Sequence, residues 1–347
     1  MRLDWNRSDI RTGRTVVNAI DVHAAGEPLR IITGGLPELH GRTMLQRRRW
    51  MRDNLDHFRR LLMHEPRGHG DMYGCVVTPP ASPEADLGVL FLHNEGYSTM
   101  CGHGVIALVT ALLETGALPA RGRETPVAID TPAGLVRATG YLDTAGCVER
   151  VSFLNVPSFL YKRDLDLDVP KLGPVTLDVA FGGAFYAVLP AATVGLSVAV
   201  EHERALVAAS EAIKEATNAA VKIEHPLDED LGFLYGVIFT DGPEDASHHS
   251  RNVCVFADSE VDRSPTGTGV SARLALHHAK GEVRQGEWIA IESILGPESV
   301  FEGRVVEATE VGPYPAVVPE VAGRAFITGR HEFVLHPQDS LGKGFLI

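Results

Sequence analysis

Two stretches of this chain, nearly half its length apart, read almost alike. Cys101-Gly-His-Gly-Val-Ile-Ala107 and Thr266-Gly-Thr-Gly-Val-Ser-Ala272 share the pattern X-G-x-G-V-x-A, and each follows an apolar run and an acidic loop. Self-similarity of this kind marks a duplicated unit, so two related halves are expected. In each half the glycine pair opens an Ala/Leu-rich stretch, 105–113 and 270–279, closed by Gly116 and Gly281. The first is apolar on every face, the mark of a helix wrapped on all sides by other structure.

Short apolar runs bounded by Gly and Pro surround these helices. Strands are expected over 15–21, 29–33, 75–78 and 87–92 in the first half, and over 151–154, 176–179, 184–189, 235–239 and 252–256 beyond it. Helices are expected over 45–63 and 201–220. The 347 residues suit two domains. The boundary is placed near residue 175: a first domain 1–175, rejoined by 335–347, and a second, 176–334.

Charge limits the partners. Thirty-two basic against 45 acidic residues give a net charge of −13, which disfavours nucleic acid. The one basic cluster, Arg47 to Arg60, interleaves with Leu55, Phe58 and Leu62 and reads as the solvated face of an amphipathic helix. The weakly polar run 186–200 is broken by Pro190 and Gly195, too short to span a bilayer. The first ten residues lack the apolar core of a signal peptide. Four cysteines (Cys75, Cys101, Cys147, Cys254) do not make a disulfide scaffold, so a cytoplasmic setting is expected. Fifteen histidines form no His-Glu-x-x-His, there is no Cys-x-x-Cys, and no metal site is expected. The glycines do not complete G-x-G-x-x-G, and no nucleotide-binding fingerprint is present.

The two helix starts are the candidate site. Unpaired N–H groups and the helix dipole favour an anion there, and glycines allow close approach. One such end from each half would clamp a small carboxylate. Cys101 stands at the first, two residues from His103, a setting that lowers thiol pKa values and suggests a nucleophile or general base. Cys75, Cys147 and Cys254 read as structural.

Asn94-Glu-Gly-Tyr-Ser-Thr-Met-Cys-Gly-His-Gly104 and Asp262-Arg-Ser-Pro-Thr-Gly-Thr-Gly269 resemble the two signature segments of the proline racemase family. Asp21-Val-His-Ala-Ala-Gly-Glu-Pro-Leu-Arg30 and Pro66-Arg-Gly-His-Gly-Asp-Met-Tyr-Gly74 resemble further family segments. The resemblance implies the diaminopimelate epimerase-like fold: two pseudo-symmetric α/β (α+β) domains, each a curved, largely antiparallel sheet around a central helix, with the site in the cleft between them. It also implies chemistry without a cofactor on a small imino acid. Oligomeric state is left open, a homodimer included.

In the family's racemases and epimerases two cysteines face each other across the substrate α-carbon. Here the first is Cys101, and Thr266 stands at the second position. A threonine hydroxyl is too weakly acidic to act as an unaided base, and no activating base is evident beside it. Two-base inversion is therefore expected to be lost. The Cys/Thr pair resembles that of dehydratases acting on trans-3-hydroxy-L-proline. In that substrate the α-hydrogen and 3-hydroxyl share a ring face, so elimination is syn and one acid–base group suffices. By position, Cys101 is the base. Backbone N–H groups of Gly102, His103, Gly267 and Thr268 hold the carboxylate, and Asp262 the ring ammonium, with His103 assisting. Glu95 and His23 are further cleft candidates. The competing readings are a racemase or 4-hydroxyproline 2-epimerase, a Cys–His acyl-transfer enzyme, and a non-catalytic imino acid binder.

Overall fold

A computed structural model describes residues 9–257 and 259–346. Most of the segment read for a leader peptide, residues 1–8, lies outside the described residues. The first half runs β1 (Thr15–Ala24), β2 (Glu27–Gly34), α1 (Met44–Met63), β3 (Tyr73–Thr78), β4 (Leu87–His93), the two-residue β5 (Tyr97–Ser98), α2 (Gly102–Glu114), β6 (Glu124–Thr131), β7 (Gly134–Leu142) and β8 (Val148–Leu154). Then come β9 (Ser158–Val169), β10 (Gly173–Phe181), β11 (Phe185–Pro190), α3 (Glu203–Ala220), β12 (Leu234–Asp241), β13 (Ser250–Phe256), β14 (Glu260–Asp262), α4 (Gly267–Ala279), β15 (Ile289–Ser293), β16 (Gly296–Val311), β17 (Tyr314–Gly323) and β18 (Ala325–Leu335).

The duplication announced by two short segments extends to the strand pairing. β1 pairs antiparallel with β2, β2 runs parallel to β3, and β3 pairs antiparallel with β4. β4 holds both short β5 and parallel β6, which continues antiparallel to β7 and β8. β10 to β17 repeat this order step for step, with β14 in the place of β5. Each parallel step needs a crossover, and α1, α2, α3 and α4 supply them. β18 lies on β1 as β9 lies on β10, and β17 joins the halves by pairing with β8 and β9. Residue 175, the boundary expected from sequence, falls inside β10. Past β18, Phe345 bridges to Glu65, and Gly342 accepts from Arg67 at 3.0 Å, so the chain end packs on the first half.

The central helices follow from composition. Eleven of the thirteen residues of α2 are buried, as a helix with no polar face requires. α4 is buried over most of its length too, and encloses Arg273, whose guanidinium bonds Asn252 at 3.0 Å and Ser250 at 2.7 Å. These bonds offset part of the cost of burying the charge, while Nε of Arg273 has no hydrogen-bond partner among the described residues.

Two expectations need correction. The strands over 124–142, 158–169 and 289–335 mix charged and polar residues with apolar ones, which hid them from a search for apolar runs. α1 is amphipathic, as expected, but its basic face is not simply solvated. Arg59 is buried, bonded to Asp56 at 2.7 Å and to the His93 carbonyl at 3.1 Å. Among the described residues no helix is long and apolar enough to cross a membrane.

Candidate active site

The two helix starts meet. A Cβ on Gly102 would lie 2.7 Å from Gly267 Cα, and one on Gly267 would lie 2.8 Å from Gly102 Cα. Only glycine at both positions lets the N-termini of α2 and α4 come this close. Helix N-termini favour an anion by dipole and by unpaired N–H groups, and here two of them adjoin.

The residues before the two glycines break the pseudo-symmetry. Cys101 caps α2 from an extended backbone (φ −149°, ψ 116°), its Sγ accepting from Gly104 N at 3.3 Å. His103 Nδ1 lies 3.2 Å from the same sulfur. Thr266, the cap of α4, sits at φ 65°, a left-handed region where a β-branched residue is strained by about 1–3 kcal/mol. Its hydroxyl gives no cap bond and donates to Asp262 Oδ2 at 2.7 Å. Asp262 Oδ1 accepts from the Ser264 amide at 2.8 Å and hydroxyl at 2.7 Å. A carboxylate therefore does adjoin Thr266, contrary to the sequence reading. It takes up the hydroxyl proton as a hydrogen-bond acceptor, and Thr266 faces the site as an anchored alcohol.

Burial pushes the Cys101 thiol well above its ordinary pKa; the Gly104 N–H opposes this and the Asp262 carboxylate adds to it. The sequence suggested the reverse, a thiol lowered by the helix start and by His103. Desolvation outweighs the helix start, and burial lowers the pKa of His103 as well. Glu27, also buried, is pushed well up by desolvation and by Asp262. Asp262 thus brings negative potential to the free site, and the Arg263 guanidinium on Glu27 is a cation beside it.

Contacts across the junction hold the halves together. Glu27 Oε2 accepts from the Arg263 amide at 2.8 Å and its guanidinium at 3.4 Å, and Arg263 reaches the Asp71 carbonyl at 3.0 Å. His93 Nδ1 lies 3.3 Å from Glu260 Oε1. A cavity of about 610 Å³ opens beside the junction, lined in part by His93, Ser98, Met100, Asn155, Tyr186, Tyr235 and Thr268. Cys101 and Thr266, both buried, do not line it; their chain neighbours Met100 and Thr268 do. Arg48, Arg49 and Arg52 of α1 line it too, giving an anion a favourable approach.

Residues 19–346 match the proline racemase family. The chain belongs to that family. It is 50% identical over 333 residues to the trans-3-hydroxy-L-proline dehydratase of Bacillus cereus, covering 96% of this chain and 98% of that one. It is 48% identical over 339 residues to the human protein of the same name, covering 96% of each. Among solved structures, a hydroxyproline epimerase from Agrobacterium vitis with bound trans-4-hydroxy-L-proline superposes with a TM-score of 0.87 at 31% identity, over 97% of both chains. The expected two-part fold around central helices is the fold of this proline racemase relative. A phenazine biosynthesis protein of the PhzF family from Bacillus anthracis, at 14% identity and a TM-score of 0.58, shares it as a fold alone.

Cys101, Gly102, His103, Asp262, Thr266, Gly267 and Thr268 lie together at the junction. Thr268 is fixed by a 2.6 Å bond between its hydroxyl and Tyr186. Glu95 is exposed at the turn between β4 and β5, and His23 accepts from Gly26 N at 3.2 Å and packs on Phe326; neither lines the cavity. Three residues near the junction went unread in the sequence. Cys254, taken as structural, faces Thr266 and Asp262 from β13, opposite Asp262 in register. Tyr73 and Ser98 lie inside the family-like segments, but only strand register shows that they meet.

Proposed function

We propose that this protein dehydrates trans-3-hydroxy-L-proline to Δ1-pyrroline-2-carboxylate by syn elimination of water. The observation that carries the reading is the unequal pair at the helix starts: one thiol, and opposite it a threonine whose hydroxyl proton is committed to Asp262. The name borne by relatives 48–50% identical over nearly the full chain supports the same activity.

In this reading the substrate carboxylate enters the junction of α2 and α4 and takes the N–H groups of Gly102, His103, Gly267 and Thr268. The ring ammonium pairs with Asp262. Cys101 as thiolate removes the α-proton, and the amides bear the charge that develops on the carboxylate. The 3-hydroxyl departs from the same face as the α-proton. The resulting enamine tautomerises to the cyclic imine. No step calls for a cofactor. Thr266 fills the opposite face and offers no thiol to deliver a proton there.

Two measurements test this. Proton NMR in D₂O should show trans-3-hydroxy-L-proline converting to the imine. L-Proline and trans-4-hydroxy-L-proline, run in parallel, should give no inverted isomer. Inversion of either without loss of water would establish the epimerase reading instead. Because burial raises the Cys101 thiol, kcat/KM should rise with pH through the neutral range, by about tenfold per unit while the thiol is mostly protonated. A flat profile from pH 6 to 8 would mean that the thiol is already ionised in the free enzyme.

A further inference from the structure

Dehydration needs an acid as well as a base, because hydroxide leaves poorly unless protonated. Syn geometry restricts where that acid can stand. The departing oxygen lies on the ring face from which Cys101 takes the α-proton, so the donor must come from the wall that carries Cys101.

That wall holds a pair of hydroxyls. Tyr73 on β3 hydrogen-bonds Ser98 on β5 through its phenol oxygen. The register of β3, β4 and β5 sets the pair: Tyr73 lies opposite His93, and Ser98 opposite Phe91. Ser98 lines the cavity, whereas Tyr73 is buried behind it. The Tyr73 ring meets His103 edge-on at 4.8 Å and stacks on His93 at 5.8 Å, and His103 Nδ1 lies 3.2 Å from the Cys101 sulfur, so the three side chains share one wall. Its O–H stabilises the thiolate of Cys101. Burial keeps the phenol itself firmly protonated, so it remains a donor.

We propose that Tyr73 and Ser98 form the leaving-group relay, with Ser98 hydrogen-bonded to the departing 3-hydroxyl and Tyr73 linking it to Cys101. The inference rests on the dehydratase reading above. The Cα–H bond breaks, its proton passing to Sγ and its electron pair forming the Cα–Cβ double bond. The C3–O bond breaks with its pair on oxygen. The Cys101 S–H gives its proton to the Tyr73 oxygen, whose own proton passes to Ser98. The Ser98 proton goes to the departing oxygen, which leaves as water. The thiolate is thereby restored without exchange with bulk solvent, and nothing else is consumed.

The test compares leaving groups. Chloride departs without a proton, so trans-3-chloro-L-proline needs the base but not the relay. With the hydroxy substrate, Tyr73→Phe and Ser98→Ala should each lower kcat by about 100-fold or more, at little change in KM. With the chloro substrate the same variants should lose less than about tenfold. Equal losses on both substrates would place Tyr73 and Ser98 with the base or the fold and overturn the proposal. So would variants that keep kcat on the hydroxy substrate within about threefold, or a wild-type protein active on the hydroxy compound and inert toward the chloride. A wild-type protein inert toward trans-3-hydroxy-L-proline itself would instead overturn the dehydratase reading.

Discussion

Cys101→Ser should lower turnover of trans-3-hydroxy-L-proline by about 10²–10⁴-fold, the usual weight of a positioned general base. Serine has nearly the same shape, but its hydroxyl does not ionise in the range where a thiol does. The rest of the site does not depend on the sulfur's basicity. Gly102 and Gly267 still meet, and Asp262 remains held by Ser264 and Thr266. Titration with pyrrole-2-carboxylate, a planar mimic of the deprotonated substrate, should therefore give a dissociation constant close to that of the wild type. Loss of binding together with turnover would mean that the sulfur also shapes the anion site. Retained turnover would remove Cys101 from the chemistry and leave the protein a different base.

Gly102→Ala should be nearly as severe, for a steric reason. The new methyl would lie 2.7 Å from Gly267 Cα and 2.9 Å from the Phe153 ring. The first neighbour is backbone and cannot turn aside. Overpacking of this kind costs about 1–3 kcal/mol, to be read as a lowered denaturation midpoint. Relief comes only if the starts of α2 and α4 move apart, which separates the N–H groups that are to hold one carboxylate. KM should rise as kcat falls, in contrast to Cys101→Ser. A variant with wild-type stability and KM would show that the two helix starts work independently.

Much of this was legible in the sequence because the duplication wrote the same instruction twice. An X-G-x-G followed by an all-apolar stretch dictates a buried helix with a bare N-terminus, and two of them dictate a junction. What stayed hidden depends on distance across the fold. The Cys101 thiol was expected to be acidified by its helix, yet its pKa is set by burial and by Asp262 and Glu27, residues far from it in the chain. The Asp262 bond to Thr266 spans only four residues, but the positive φ of Thr266 that turns its hydroxyl inward leaves no trace in residue type. Tyr73 and Ser98 stand within the family-like segments. That they touch follows from the register of β3, β4 and β5, which sequence does not encode locally. The long strand β16 was missed because charges recur along it, as half-exposed strands permit, and β17 because Pro315 and Pro319 interrupt its apolar run.

The place of β18 has a consequence for how the molecule is made. β1 pairs with β2 on one side, and receives β18 on the other only after every element between them has been synthesised. Until then its outer edge offers unpaired N–H and C=O groups, a template for other strands. The nascent protein therefore carries an open edge through most of its translation, the condition under which partly folded chains associate with one another. Its yield in a cell should depend on how fast the last strand arrives, and slow codons late in the message should cost more soluble protein than slow codons early in it.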